Sequence, residues 1–194
     1  MKHFVIRLLV LPALLILFPL HALASETYEF DPMHTYVLWH INHFGFSIQT
    51  GKFTMVEGKL VVDDAKPQNS QVNVTIPMQN IATGIPKLDE HLASSDFFDV
   101  KKFPTASFKS TKVEVTGKNT GKVYGKLTMM GVTKPVTLDV KLLKEGMHPM
   151  KNKKSLGFKA TASFKRSEFG LDKYAPALGD EVQIEIGAEA NLEK

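Results

Sequence analysis

The chain reads as an all-β domain, an antiparallel barrel of about eight strands with one short helix. Three observations predict it. Apolar and polar residues alternate over many short segments, turn-forming residues punctuate those segments, and one stretch breaks the alternation with helical spacing.

The alternation is explicit from Tyr36 to His43, where Val37, Trp39, Ile41 and His43 fall on one face. Val72, Val74 and Ile76 repeat it, then Leu127 with Met129, and Val136, Leu138 and Val140. Phe158, Ala160, Ala162 and Phe164 form another row, and Val182, Ile184, Ile186, Ala188 and Ala190 the last. A period of two means one face buried and one wet, and the interleaved Lys159, Thr161, Ser163 and Lys165 show the wet face of one strand. Turns are expected at Asp63-Asp64 before Pro67, at Gly117 to Gly121, at Gly131, and at Glu145-Gly146 before Pro149. Eight such strands can close into a barrel and leave no exposed edge.

The exception is Pro86 to Phe98. A proline suited to a first helical turn is followed by Leu88 and Leu92, four apart, which predicts a short helix ending near Ser95. Phe97-Phe98 and Phe103-Pro104 are expected to pack that helix over one end of the barrel.

Residues 1–24 read as an export signal rather than as part of the fold. Lys2 and Arg7 form a basic start, Leu8 to Leu20 an apolar block, and Ala22-Leu23-Ala24 a small-x-small cleavage pattern. The block is shorter than the roughly 20 apolar residues a membrane helix needs. Cleavage near Ala24-Ser25 leaves one domain, residues 25–194, and the net charge falls from +4 to +2 once Lys2 and Arg7 are gone. That near balance gives no reason to expect a nucleic-acid partner. With no cysteine, the chain has no disulfide, thiolate metal site, cysteine nucleophile or lipidated start.

Other features invite sharper readings, and each has a plainer one. His34, His40 and His43 suggest a metal triad, but on a strand the first two point one way and the third the other, so no metal site is expected. His91 with Asp96 and Asp99 is expected to tie the helix to the wall and cap turns. Gly45 and Gly51, or Gly125 and Gly131, lack the strand-to-helix turn of a phosphate loop, and no cofactor is expected. Asn73-Val-Thr75 is a formal glycosylation sequon inside a predicted strand and is discounted. Lys151, Lys153 and Lys154 make a basic hairpin tip, either a solvated loop or a transient contact with an anionic membrane surface. The inner rows mix Trp39, Phe158 and Phe164 with small alanines, and an eight-stranded barrel either packs its interior or holds one small ligand. Both options stay open on pattern alone.

Six motifs stand in order along nearly the whole mature chain. They are Asp31-Pro-Met-His34-Thr35; Gly45, Gly51-Lys-Phe53 and Gly58; and His91-Leu-Ala-Ser-Ser-Asp96-Phe97-Phe98-Asp99. Phe103-Pro104-Thr-Ala-Ser-Phe108-Lys-Ser110, Gly125-Lys-Leu127-Thr128-Met-Met-Gly131-Val-Thr133-Lys-Pro135-Val and Arg166-Ser-Glu-Phe169-Gly170 follow. This series resembles the YceI-like family, with Thr35 where that family commonly has serine. The resemblance implies a lipocalin-like barrel in the periplasm. It implies a non-catalytic protein that holds a long apolar molecule, such as a polyisoprenoid, an isoprenoid quinone or a fatty amide, and it admits a homodimer. The residues expected to touch such a ligand are Val37, Trp39, Ile41, Phe158, Ala160, Phe164, Ile184 and Ile186. His43, Arg166 and Lys173 are the candidates for its polar head. Two rival readings are an enzyme acting on a lipid or quinone headgroup through His43 or His91, and a structural or stress protein whose filled barrel binds nothing.

Overall fold

Each inner row read from the sequence lies on a strand of the computed structural model, which describes residues 25–193. The proposed export signal, residues 1–24, lies outside the described residues. The elements in order are β1 (Glu26–Phe30), β2 (Tyr36–His43), β3 (Ser47–Phe53), β4 (Glu57–Val62), β5 (Gln71–Pro77) and β6 (Ile81–Ala82). Helix α1 (Pro86–Ala93) follows, then β7 (Thr105–Gly117), β8 (Thr120–Met129), β9 (Val132–Met147), β10 (Lys154–Lys165) and β11 (Leu178–Leu192). All strand pairs are antiparallel, and β1-β4-β5-β7-β8-β9-β10-β11 closes on itself through β1 and β11. The closed ring therefore has eight strands, with β2, β3 and β6 branching from β11 along the same wall.

Strand β11 makes this possible because it is long enough for two partners on one edge. Val182 to Gly187 pair with β2, and Ala190 to Leu192 pair with β1. Between them the chain leaves the ladder at Asp31–Thr35 and rejoins it. Two bonds to one carbonyl hold that excursion in place: the Asp31 N–H donates to Glu189 O at 2.8 Å, and the Thr35 hydroxyl donates to it at 3.2 Å. Asp31 is nearly buried and takes a bond from the Met33 N–H, lies 2.8 Å from His34 Nδ1 and receives the Lys151 ammonium. Burial pushes the Asp31 carboxyl up, but Lys151, His34 and the Met33 N–H outweigh it and hold it at about 2.

The two ends of the barrel differ. One carries α1, the β2–β3 and β8–β9 turns and the β10–β11 connection. The other carries the β7–β8 and β9–β10 turns and the segment 63–70. At this far end β9 runs past the expected turn at Gly146 to Met147, because it keeps its ladder with Lys154 and Ser155, and the reversal falls at His148–Lys153. Tyr28, Leu156 and Ala190 form a small buried cluster there. Lys154 beside them reaches Glu26 at 2.6 Å and Glu145 at 3.1 Å. The larger core lies toward the helix end, where Leu92 of α1 packs with Phe53, Met78, Leu127 and Phe169.

Asp31 makes stability depend on acidity. Its carboxyl lies lower folded than unfolded, so its contribution is complete above about pH 4 and is lost as pH falls through 2. Urea unfolding at pH 7 should show Asp31→Asn weaker than wild type by roughly 2 kcal/mol, with the gap closing near pH 2. A gap that persists at pH 2 would locate the loss in packing instead.

Candidate functional site

The inner rows do not meet. They enclose a cavity of about 870 Å³ that runs from the helix end to the far end. Its wall is apolar and drawn from all around the barrel. Val37, Trp39 and Ile41 come from β2, Val72, Val74 and Ile76 from β5, Val136, Leu138 and Val140 from β9, and Val182, Ile184 and Ile186 from β11. Polar residues gather at the ends: His43, Gln49, His91 and Tyr174 by the helix, and Asp64, Gln71, Lys118, Asn119 and Glu145 opposite. Thr35 also reaches the wall, but its hydroxyl is engaged by the Glu189 carbonyl.

Local pairing explains why the volume exists. Trp39 stands directly across from Gly51, and a Cβ there would lie 2.1 Å from the indole Cζ2 and 2.8 Å from Nε1. The indole thus lies flat on the bare main chain of β3 rather than projecting across the lumen. Its Nε1 is buried there with no hydrogen-bond partner among the described residues, a cost borne by the surrounding packing. Phe108 covers Gly125 in the same way, with its Cζ 2.2 Å from a Cβ placed at that glycine. Aromatic rings folded against glycines line the wall without filling the middle.

Of the residues expected to touch a ligand, Val37, Trp39, Ile41, Phe158, Ala160, Phe164, Ile184 and Ile186 all line the cavity. Of the three head-group candidates, His43 and Arg166 line it as well. Arg166 is buried and spends its guanidinium on main-chain carbonyls, donating to Gly179 at 2.8 Å, to Leu178 at 2.9 Å and to Leu171. It thereby fastens the β10–β11 connection across the helix end. Lys173 is not part of the cavity wall: its ammonium is held 2.5 Å from Asp96.

The polar clusters take plainer roles. Asp96, expected to cap a turn, instead bridges Lys173 and His91, with His91 Nε2 at 3.3 Å, and Lys173 first and His91 second hold its carboxyl below the usual range. His91 also meets Phe97 edge-to-face, and Phe97 approaches Tyr174, so this bridge joins α1 to the loop facing it. The three histidines stay apart: His34, in the excursion before β2 rather than on the strand, lies on Asp31, His40 against Thr50 and His43 on the cavity. Asp31, His34 and Glu189 do present ligand atoms within 4.8 Å of one another. Yet Asp31 Oδ2 already receives Lys151 and faces His34, and its Oδ1 accepts the Met33 N–H.

Inner residues of β1, β3, β4 and β7 were not assigned from the sequence, although Phe30, Phe53, Leu60 and Val113 line the cavity. Strands β1, β3 and β4 are short or interrupted by Gly51 and Gly58, and the long β7 shifts register between Ser110 and Lys112, so the alternation is faint; the paired positions Trp39 and Gly51 were the available signal.

A sequence profile of the YceI-like domain matches residues 28–190. The chain belongs to the YceI-like family. A UPF0312 protein of Pseudomonas putida is 38% identical over 175 residues, covering 89% of this chain and 90% of its own. The crystal structure of Burkholderia cenocepacia BcnA superposes with a TM-score of 0.74 at 26% identity, over 82% of this chain and 98% of that one. A polyisoprenoid-binding domain from Saccharophagus degradans shares the fold at a TM-score of 0.64 and 13% identity, over 86% of this chain and 98% of its own. In this YceI-like chain the lipocalin-like architecture expected from the motifs is thus present, cavity included.

The pairing of Trp39 with Gly51 has a direct test. Gly51→Ala must push the indole off β3 into the lumen, at an expected cost of about 1–3 kcal/mol. Trp39 is the single tryptophan, so thermal unfolding followed by its emission reads both stability and the indole's surroundings. Unchanged Tm and emission would show that the wall has slack there.

Proposed function

We propose that this protein is a non-catalytic periplasmic carrier that holds an isoprenoid, an isoprenoid quinone or a similar amphiphile inside its barrel. The cavity carries this reading: about 870 Å³ of space with an apolar wall and polar residues at its ends. That size lies in the upper part of the usual range for small-molecule sites, 300–1,000 Å³ or so. A hydrocarbon chain entering it gains about 0.8 kcal/mol per buried CH₂, enough for useful affinity without directional contacts along the chain. The Saccharophagus degradans domain of the same fold is described as polyisoprenoid-binding, which makes an isoprenoid the first probe to use. Export to the periplasm is supported by the basic, apolar and small-x-small pattern of residues 1–24.

The same geometry weighs against the two rivals. A filled structural barrel would need the inner rows to interdigitate, and they stand apart. For an enzyme, His91 does have a titratable neighbour in Asp96. That carboxylate is shared with Lys173, an arrangement suited to tying two loops together rather than to activating a base.

Farnesol titrated into the mature protein should change Trp39 emission saturably, since the indole lies on the wall. Ala160→Phe, which fills the lumen from β10, should weaken that response at least tenfold while the protein keeps a cooperative unfolding transition. Ile184→Phe, which keeps Trp39 as the single fluorophore, serves as a second filling variant should Ala160→Phe fail to fold. A folded protein with no saturable response to farnesol or to a quinone would overturn the carrier reading.

A further inference from the structure

A carrier for a water-insoluble chain has to meet the bilayer that supplies it, and the two ends of the barrel are unequal to that task. The basic tip at the far end is largely spoken for. Lys151 is drawn onto Asp31, and Lys154 onto Glu26 and Glu145, which leaves Lys153 as the exposed cation of the three.

The turn between β2 and β3 is different. Phe46 at its apex is 91% exposed, Ile48 on its outer face 61%, and Phe44 on its inner side is half-exposed while also lining the cavity. From Pro32 to Gly51 the chain carries no Asp, Glu, Lys or Arg, twenty residues in a protein whose composition is 23% charged. Insertion of this tip would desolvate no formal charge between Pro32 and Gly51.

The backbone holds the tip in an unusual form. Phe44 has φ +55° and Gly45 φ +78°, and the Gly45 N–H is fixed on Asn42 Oδ1 at 2.7 Å. A left-handed conformation is uncommon for a bulky residue and costs about 1–2 kcal/mol, so asparagine or glycine would suit position 44 better on local grounds. Tyr174 on the β10–β11 connection shows the same feature at φ +62°, and it too is half-exposed and lines the cavity. Two half-exposed aromatic residues that line the cavity at the same mouth therefore stand on left-handed main chain.

We propose that the β2–β3 tip, Phe44, Phe46 and Ile48, inserts into the surface of a lipid bilayer, so that cargo passes between membrane and cavity beside Phe44 and Tyr174. This rests on the carrier reading and adds the surface through which it works. The shape favours a bilayer over a second copy of the chain. Three side chains of at most about 250 Å² each fall short of the roughly 800 Å² per partner of a stable interface. A narrow convex apolar tip, by contrast, suits the 5–10 Å or so of depth that interfacial anchors reach. With no cation between Pro32 and Gly51, attachment through the tip should depend little on anionic lipid.

The test is co-sedimentation of mature protein with sucrose-loaded vesicles of phosphatidylcholine, alone or with one quarter phosphatidylglycerol. Wild type should sediment with both. Phe46→Ser/Ile48→Ser should partition at least tenfold less, since burying one such side chain corresponds to more than tenfold. The same variant should keep the farnesol response of Trp39, because neither residue lines the cavity. Lys153→Glu should leave sedimentation unchanged. The proposal is overturned if wild type stays in the supernatant, if the double variant sediments like wild type, or if only Lys153→Glu lowers sedimentation. It is also overturned if sedimentation velocity shows a dimer that the double variant dissolves, which would assign the tip to a second copy. Loss of the farnesol response in wild type itself would remove the carrier reading separately.

Discussion

The structure depends on β11 having two partners along one edge. A sheet that ended at β11 would present fifteen residues of unpaired main chain, an open invitation to pair with other chains. Closure requires β1 and β2 to lie end to end against it, and the excursion at Asp31–Thr35 lets one continuous segment do both. The Glu189 carbonyl, receiving Asp31 and Thr35, joins the two halves. Thr35 in place of the family's usual serine keeps the hydroxyl that this junction uses. The Asp31–His34–Lys151 cluster is best understood in that light: it fastens the β9–β10 tip to the outside of the closure.

Closure fixes a circumference, and the choice of inner residues then decides whether the interior is full. Eight strands lie near the boundary between a packed core and a lumen. Here two large wall residues are laid flat against glycines. Trp39 lies on Gly51 and Phe108 on Gly125, so each glycine takes up ring volume that would otherwise project inward. Ala160 and Ala188 on β10 and β11 add nothing to fill the space. The unbonded Trp39 Nε1 shows that this arrangement is not the cheapest way to pack an indole.

This explains what could be read from sequence. Period-two rows are local, so the inner faces of β2, β5, β9, β10 and β11 were legible, as was α1 from Pro86, Leu88 and Leu92. The cavity was not, because its volume is a property of all the walls at once and no single row contains it. Strands β3 and β4 were hard to see since Gly51 and Gly58 interrupt their alternation, and those glycines have meaning only beside their partners across the ladder. Lys173 shows the same limit among charges. A lysine near a mouth looks free in one dimension, and only the fold reveals Asp96 beside it.

The polar groups at the helix end then acquire a common sense. Arg166 ties the β10–β11 connection through three carbonyls, and Asp96 ties that connection to α1 through Lys173 and His91. These bonds brace the β10–β11 connection and α1, while the β2–β3 turn is closed by its ladder, the Asn42 cap and the Phe46 N–H on the His43 carbonyl. A mouth with one braced side and one apolar, charge-free side has a direction. Its braced side keeps the opening in shape, and its apolar side can leave water at little cost. An apolar path continuing from Phe44 into the lumen would let a hydrocarbon chain cross from bilayer to barrel without entering bulk water. The strained main chain at Phe44 and Tyr174 fits that economy, since both rings stand at the rim, half-exposed and on the cavity wall at once.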